Sequence, residues 1–451
     1  VHTAVNHSMY NQLCNATRRL VAVLKAFAKA LRPRQIDLNF DNYRRVYKQG
    51  LSNIPKNKPV IFAANHQNSL IDPIVIATAS FAPVFFLTKS DVFKKPAIAK
   101  ILYSLNMLPI YRERDGADFK EKNIAIFNRC SEILQGDGKI IIFPEGSHNN
   151  LNRLRPLKKG IARIAALANK ETDEDIWIVP VGLNYSNTRN KAADLLVSYG
   201  EAINASEILN SKPDATNENE VFNPLMEKIK IGLKNEMLDY SEQEYYELYD
   251  FFISDIKRPR TTLIKKFKWN KDKNNKLTDF FISNKEETDK MLTNSSEIKE
   301  VCEKKSLRPY LFNKKKHGLV VPAIGLILGF PLALYGFINS YIPSVIPQKL
   351  ILDKIKDRQY DSSINMVLGG FLMFFFWCLQ SFVVSLFTDY YIWFWYFISC
   401  VFSRWFSYEY LIYYLRFKGK KNYNSFSKNY SETAETLRKK YQHLKQFLYN
   451  L

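Results

Sequence analysis

The sequence predicts an α/β unit, a mostly parallel sheet flanked by helices, preceded by an amphipathic helix and followed by apolar helices, and three observations lead there. Two short apolar runs, Pro59-Val60-Ile61-Phe62-Ala63-Ala64 and Lys139-Ile140-Ile141-Ile142-Phe143, read as buried parallel strands. Each stops abruptly in polar residues, Asn65 to Asp72 after the first and Pro144 to His148 after the second. From Gly318 onward the composition turns to long apolar and aromatic runs. With 451 residues the chain has room for an α/β domain of about 150 to 200 residues plus further modules.

Taken in order, residues 1–49 form an N-terminal amphipathic region. Between Asn11 and Leu31, Leu13, Leu20, Val21, Val23, Leu24, Phe27, Ala28 and Leu31 recur near helical spacing with Arg18, Arg19, Lys25 and Lys29 between them. Such a helix either lies in a membrane interface or packs on its own domain. Its interleaved lysines exclude a secretory signal. Residues 50–240 hold the α/β unit: Pro73 and the run after it suit a helix start capped by Asp72, and Leu195 to Glu201 reads as a further strand. Helical patterning recurs from Val221 to Met237.

Residues 241–316 are lysine-rich and polar, a charged helical insertion or linker without a chemical motif. Residues 317–421 form a hydrophobic membrane region. Leu319 to Ile338 can reach across a bilayer, with Pro322 and Pro331 expected to kink it; Ile364 to Phe387 is a second run and Tyr391 to Phe402 a third. Basic clusters at Lys314–Lys316, at Lys349, Lys354, Lys356 and Arg358, and at Arg416 to Lys421 bracket the runs, and all three prefer the cytoplasmic side. That pattern predicts a hairpin of the last two runs and a first run that dips in and returns. Residues 422–451 read as a cytosolic helical tail.

Each polar segment has an ordinary explanation when taken alone: Asp72 as a helix cap, His66 as a loop histidine, Pro144-Glu145-Gly146 as a turn. Their joint occurrence at two strand ends is what points to chemistry, because ligands of open α/β sheets bind at that edge. An imidazole can take a hydroxyl proton near neutral pH, and a carboxylate can fix its tautomer and stabilise the imidazolium.

On these residues the chain resembles the glycerolipid acyltransferase superfamily, whose members esterify glycerol phosphates from acyl-CoA or acyl-carrier protein. Five residues separate His66 from Asp72 where the family usually has four. That spacing, with Ser147-His148 after the Glu-Gly, resembles the branch of fungal glycerol-3-phosphate and dihydroxyacetone-phosphate acyltransferases. His148 stands where many members carry Arg. Leu108-Pro109-Ile110-Tyr111-Arg112 and Ile178-Val179-Pro180-Val181-Gly182-Leu183 are similar to the second and fourth family blocks, and Pro156 to Ala162 to the basic-glycine stretch that opens a helix.

The resemblance implies the glycerolipid acyltransferase fold for the α/β unit, with His66 as base and Asp72 as its partner. It further implies an acceptor site of Arg112, Glu145, Gly146, Ser147, His148 and Lys158, and no cofactor or metal beyond the acyl donor as co-substrate. The implied reaction is acylation of the sn-1 hydroxyl of glycerol 3-phosphate or dihydroxyacetone phosphate. The alternatives are sn-2 acylation of lysophosphatidic acid and a non-catalytic membrane-anchored lipid-binding protein.

Composition agrees with a lipid bilayer and an anionic acceptor as partners. The formal charge is +21, and no zinc spacing, RNA-binding signature or basic zipper assigns it to nucleic acid; the charge lies beside apolar runs instead. Five widely spaced cysteines, Cys14, Cys130, Cys302, Cys378 and Cys400, form no disulfide or metal framework. Cys130 is expected in a helix facing the core. Free thiols fit a membrane protein whose catalytic domain faces the cytoplasm.

Overall fold

A computed structural model describes residues 43–68, 71–78, 83–136, 138–147, 151–185, 193–211, 217–240, 242–256, 261–351, 361–388 and 390–451. The amphipathic stretch from Asn11 to Leu31, His148, and Lys354, Lys356 and Arg358 lie outside them. The chain divides into two compact units, Val1–Asp239 and Tyr240–Leu451.

The first unit is built on strands β1 (Tyr43–Gln49), β2 (Val60–Ala64), β3 (Val84–Lys89), β4 (Met107–Ile110), β5 (Lys139–Ile142), β6 (Trp177–Tyr185), β7 (Ala193–Tyr199) and β8 (Ile203–Asn204). They form one sheet in the order β1-β7-β6-β2-β5-β3-β4, with β8 paired to β6. Pairings of β2 with β5 and β6, of β3 with β4 and β5, and of β1 with β7 are parallel; β7 and β8 run antiparallel to β6. The mostly parallel sheet expected from the apolar runs is therefore what the chain forms.

Central strand β2 is buried along its whole length, which requires cover on both faces. Strand alternation sends Ile61 and Ala63 to one face, where they join Ile140, Ile142 and the apolar sides of helices α3 (Phe119–Gln135), α4 (Gly160–Glu171) and α6 (Glu218–Glu236). Phe62 points the other way and meets Tyr199 edge-on at 6.1 Å; the Tyr199 hydroxyl donates to Ile76 O of helix α1 (Ile71–Ala77) at 3.4 Å. Helix α2 (Pro96–Ser104) leads into β4, and α5 (Ala205–Asn210) follows β8.

Cys130 of α3 is fully buried, and burial pushes its thiol up to about 12, the state of a core side chain. Pro180 sits in β6 between the residues paired with β8 and those paired with β7, the part of a central strand best able to lack an N–H donor.

The second unit is helical: α7 (Tyr246–Asp250), α8 (Leu263–Ser283), α9 (Lys285–Lys304), α10 (Val320–Ile351), α11 (Asp361–Ser385), α12 (Tyr390–Asn429) and α13 (Ser431–Asn450). By length and apolarity, Val320–Ile346 and Leu368–Ser385 can cross a membrane. The third apolar run opens α12, whose serines, tyrosines and Arg404 keep it below that standard.

One expectation is corrected here: the first run does not dip in and return but continues as a single 32-residue helix, α10. Pro322 falls in its first turn, where an N–H is unsatisfied anyway. The helix continues past Pro331. Small residues let α12 come close: a Cβ on Gly336 would stand 2.2 Å from Ser403 O. Tyr335 and Ser399 hydroxyls meet at 2.7 Å, and the Tyr396 hydroxyl donates to Asn339 Oδ1 at 2.8 Å, polar contacts of the kind that join apolar helices.

Candidate active site

The two polar segments meet because β2 and β5 are neighbours running in parallel, with Ala63 opposite Ile142. Both strands therefore end at the same edge, and the residues just beyond them, Asn65-His66 and Phe143 to Glu145, emerge side by side. Asn65 anchors the first segment. Its side-chain amide accepts from Leu183 N at 2.7 Å and donates to Leu183 O at 3.2 Å, replacing a ladder step between β2 and β6.

His66 Nδ1 lies 3.0 Å from Asp72 Oδ2. The same oxygen accepts from the backbone N–H groups of Gln67 at 2.8 Å and Asn68 at 2.7 Å, while the Tyr185 hydroxyl donates to Oδ1. Asp72 is fully buried, so this ring of donors is what allows its charge to stay inside the protein. The carboxylate is thus not the cap expected from the sequence. It lies in the first turn of α1 and reaches back to the loop before the helix, fixing the turn that presents His66. The ring of His66 stacks on Phe143, 3.9 Å between centroids at 16°.

Glu145, 7% exposed, ties the two segments together. Its Oε1 accepts from His66 N at 3.1 Å, and Oε2 accepts from Arg155 Nε at 2.7 Å and Arg155 N at 3.3 Å. The Arg155 guanidinium continues to Ser147 Oγ at 2.6 Å and to Ser147 O. Gly146 takes a left-handed φ of 73°, a conformation that favours glycine, and the Lys158 side chain passes close beside it. Arg112 leaves the end of β4 and donates from Nη2 to Gly146 O at 2.6 Å. Its own N–H is held by Asp115 Oδ2 at 2.8 Å, which also accepts from Ser90 Oγ at 2.8 Å.

The structure therefore gathers His66, Asp72, Arg112, Glu145, Gly146, Ser147 and Lys158 at one sheet edge, with His148 outside the described residues. Among the described residues no group of three or more His, Cys, Asp or Glu side chains is placed to hold a metal ion. Sequence reasoning missed Arg155 and Tyr185. Arg155 lies one residue before the Pro156 to Ala162 stretch and Tyr185 two beyond the Ile178 to Leu183 strand; each was one short extension from a motif already singled out.

Chemically, the edge pairs an imidazole and a buried carboxylate with a cationic rim of Arg112, Arg155 and Lys158. Residues 45–184, which hold this site, match the model of the Acyltransferase family. A chloroplastic 1-acyl-sn-glycerol-3-phosphate acyltransferase of Brassica napus is 29% identical over 120 residues, 26% of this chain and 33% of that protein. Glycerol-3-phosphate O-acyltransferase 1 of Saccharomyces cerevisiae is 30% identical over 121 residues, 26% of this chain and 16% of that protein. The solved 1-acyl-sn-glycerophosphate acyltransferase of Thermotoga maritima aligns at 20% identity and a TM-score of 0.30 over 42% of this chain and 71% of that one, a likeness too loose to argue from. Residues 45–184 thus carry an Acyltransferase domain similar to those of glycerolipid acyltransferases. The chain spans a third or less of the length of the two curated relatives.

Proposed function

We propose that the chain transfers a fatty acyl group from acyl-CoA or acyl-carrier protein to the sn-1 hydroxyl of glycerol 3-phosphate or dihydroxyacetone phosphate, at a membrane. The observation that carries the reading is the His66–Asp72 pair beside the Arg112–Gly146–Lys158 cluster. With Nδ1 engaged by Asp72, His66 Nε2 takes the proton of the acceptor hydroxyl as its oxygen attacks the thioester carbonyl. The tetrahedral oxyanion collapses, the C–S bond breaks, and the imidazolium returns its proton to the departing thiolate. Asp72 offsets the transient positive charge.

In this reading Arg112 and Lys158 bind the acceptor phosphate, the guanidinium in a bidentate manner. Glu145 and Ser147 hold that side of the site in place through Arg155. Arg112→Ala is expected to raise the acceptor KM roughly ten- to hundredfold, the worth of a charge-assisted hydrogen bond, with a smaller change in kcat. Initial rates against acceptor concentration check this, and an unchanged KM removes the phosphate role.

Tyr185 acts through Asp72. Its hydroxyl holds Oδ1 of the carboxylate while Oδ2 faces His66, so Tyr185→Phe is expected to lower kcat several-fold with the donor KM unchanged. An unchanged kcat leaves Tyr185 a packing residue.

A second reading, acylation of lysophosphatidic acid at sn-2, is favoured by the activity of the Brassica relative, as the first is by the five-residue spacing and the yeast relative. Membranes containing the protein, given labelled acyl-CoA with each of the three acceptors, separate them. Product with glycerol 3-phosphate or dihydroxyacetone phosphate supports the first, product only with lysophosphatidic acid the second. Absence of product with all of them points to another donor or a non-catalytic lipid-binding role.

The apolar surfaces of α10 and α11 support a membrane location: Ile327, Leu328, Phe371 and Phe382 are 73%, 77%, 66% and 61% exposed, a state suited to lipid and not to water. The basic clusters favour a cytoplasmic catalytic domain.

A further inference from the structure

Helices of the α/β unit normally bury one face; α4 puts Ile161, Ala162, Ile164, Ala165 and Ala168 into the core. Helix α2 buries no residue. Ile98, Ile101 and Tyr103 are 43%, 60% and 48% exposed, and Val92, in the 3₁₀ turn Ser90–Phe93 before it, is 43% exposed. Ile98, Ile101 and Leu102 recur at i, i+3 and i+4, so they share one side of the helix. The Phe93 and Tyr103 rings, 5.0 Å apart, hold turn and helix together. A nine-residue helix is too short to be stable in water on its own propensity, and an open apolar face of this kind marks an interaction surface.

The charges around that face select the partner. Lys89, Lys94, Lys95 and Lys100 border it, against one acid, Asp91. Asp91 pairs with Lys94 at 3.1 Å, and the Lys94 side chain is still 78% exposed. Isoleucines flanked by lysines fit the boundary layer of an anionic bilayer. Alkyl groups enter the acyl region, and the ammonium groups are drawn to the anionic headgroups.

We propose that the α2 face, with Ile98 and Ile101 at its centre and Val92 in the turn before it, docks the α/β unit directly onto an anionic lipid surface. This attachment is separate from the apolar helices of the second unit. It rests on the reading of the chain as a membrane acyltransferase and adds where the catalytic unit itself touches lipid. The face is linked to the site: α2 runs into β4 and so to Arg112, and Ser90 in the turn before α2 shares Asp115 with the Arg112 backbone. An amphiphilic acceptor or product then reaches the arginine from the bilayer without crossing water.

Full-length protein carrying benzoylphenylalanine in place of Ile101, or of Ile231 on α6 (51% exposed) as control, is reconstituted in phosphatidylcholine vesicles with and without phosphatidylglycerol, using radiolabelled lipid. After irradiation, lipid adducts are expected at 101 several-fold above those at 231. They should increase with phosphatidylglycerol, and that increase should be lost when Lys94, Lys95 and Lys100 are replaced by Gln. Absence of lipid adducts at 101, equal labelling at both positions, or adducts instead to residues 1–42 or to a second copy of the chain would overturn the proposal. The same labelling is expected in a His66→Ala protein, so failure of the docking surface and failure of the acyltransferase reading are seen separately.

Discussion

His66→Ala is expected to lower acyl transfer by about a thousandfold or more at saturating donor and acceptor, the upper range of what a positioned general base contributes. Folding should barely change. The ring rests on Phe143 at the mouth of the site with 13% of its side chain exposed, so its removal costs on the order of 1 kcal/mol. The backbone N–H of residue 66 still donates to Glu145, and the loop keeps its course. Product formation measured beside thermal unfolding gives both numbers. Retained activity in a folded variant rules His66 out as the base.

Asp72 is expected to separate into two effects according to the substitution. In Asp72→Asn the amide oxygen can keep the donors from Gln67 and Asn68, and the amide nitrogen can face the Tyr185 oxygen, so the loop survives. The negative charge that balances the imidazolium does not, and kcat should fall by about a thousandfold. Combining Asp72→Asn with His66→Ala should lose little beyond His66→Ala alone, because the pair acts as a unit. Asp72→Ala instead leaves two backbone N–H groups and the Tyr185 hydroxyl buried without their acceptor. At roughly 1 to 3 kcal/mol for each unsatisfied group, unfolding should shift by about 3 kcal/mol or more. Urea denaturation of the two variants checks this; equal stability of both would mean that the carboxylate does not organise the loop.

Much of the α/β unit was legible in the sequence because its cause is local. Uninterrupted apolar runs such as Pro59 to Ala64 can only be strands covered on both faces, and once two such strands are parallel neighbours their polar ends must converge. Asp72 was misread as a cap because capping rules look forward along the helix, whereas its four donors lie behind it or 113 residues away at Tyr185. Arg155 was invisible for a similar reason: a basic residue in a loop looks solvated until a buried glutamate is brought beside it. Pro331 lies inside α10 without ending it, because one missing hydrogen bond in a 32-residue helix bends the backbone more readily than it reverses the chain.

The pairing of β1 with β7 sets a schedule for synthesis. These strands lie about 150 residues apart in the chain, so at about 5 to 20 residues per second the ribosome needs roughly 10 to 30 seconds after β1 emerges to supply its partner. Until then β1 is an unpaired edge, open to pairing with other chains and a natural client for a chaperone. Among the described residues, the first helix long and apolar enough to cross a membrane begins at Val320, more than a hundred residues later. The sheet can therefore close before that segment leaves the ribosome, which separates its folding from any later insertion of α10.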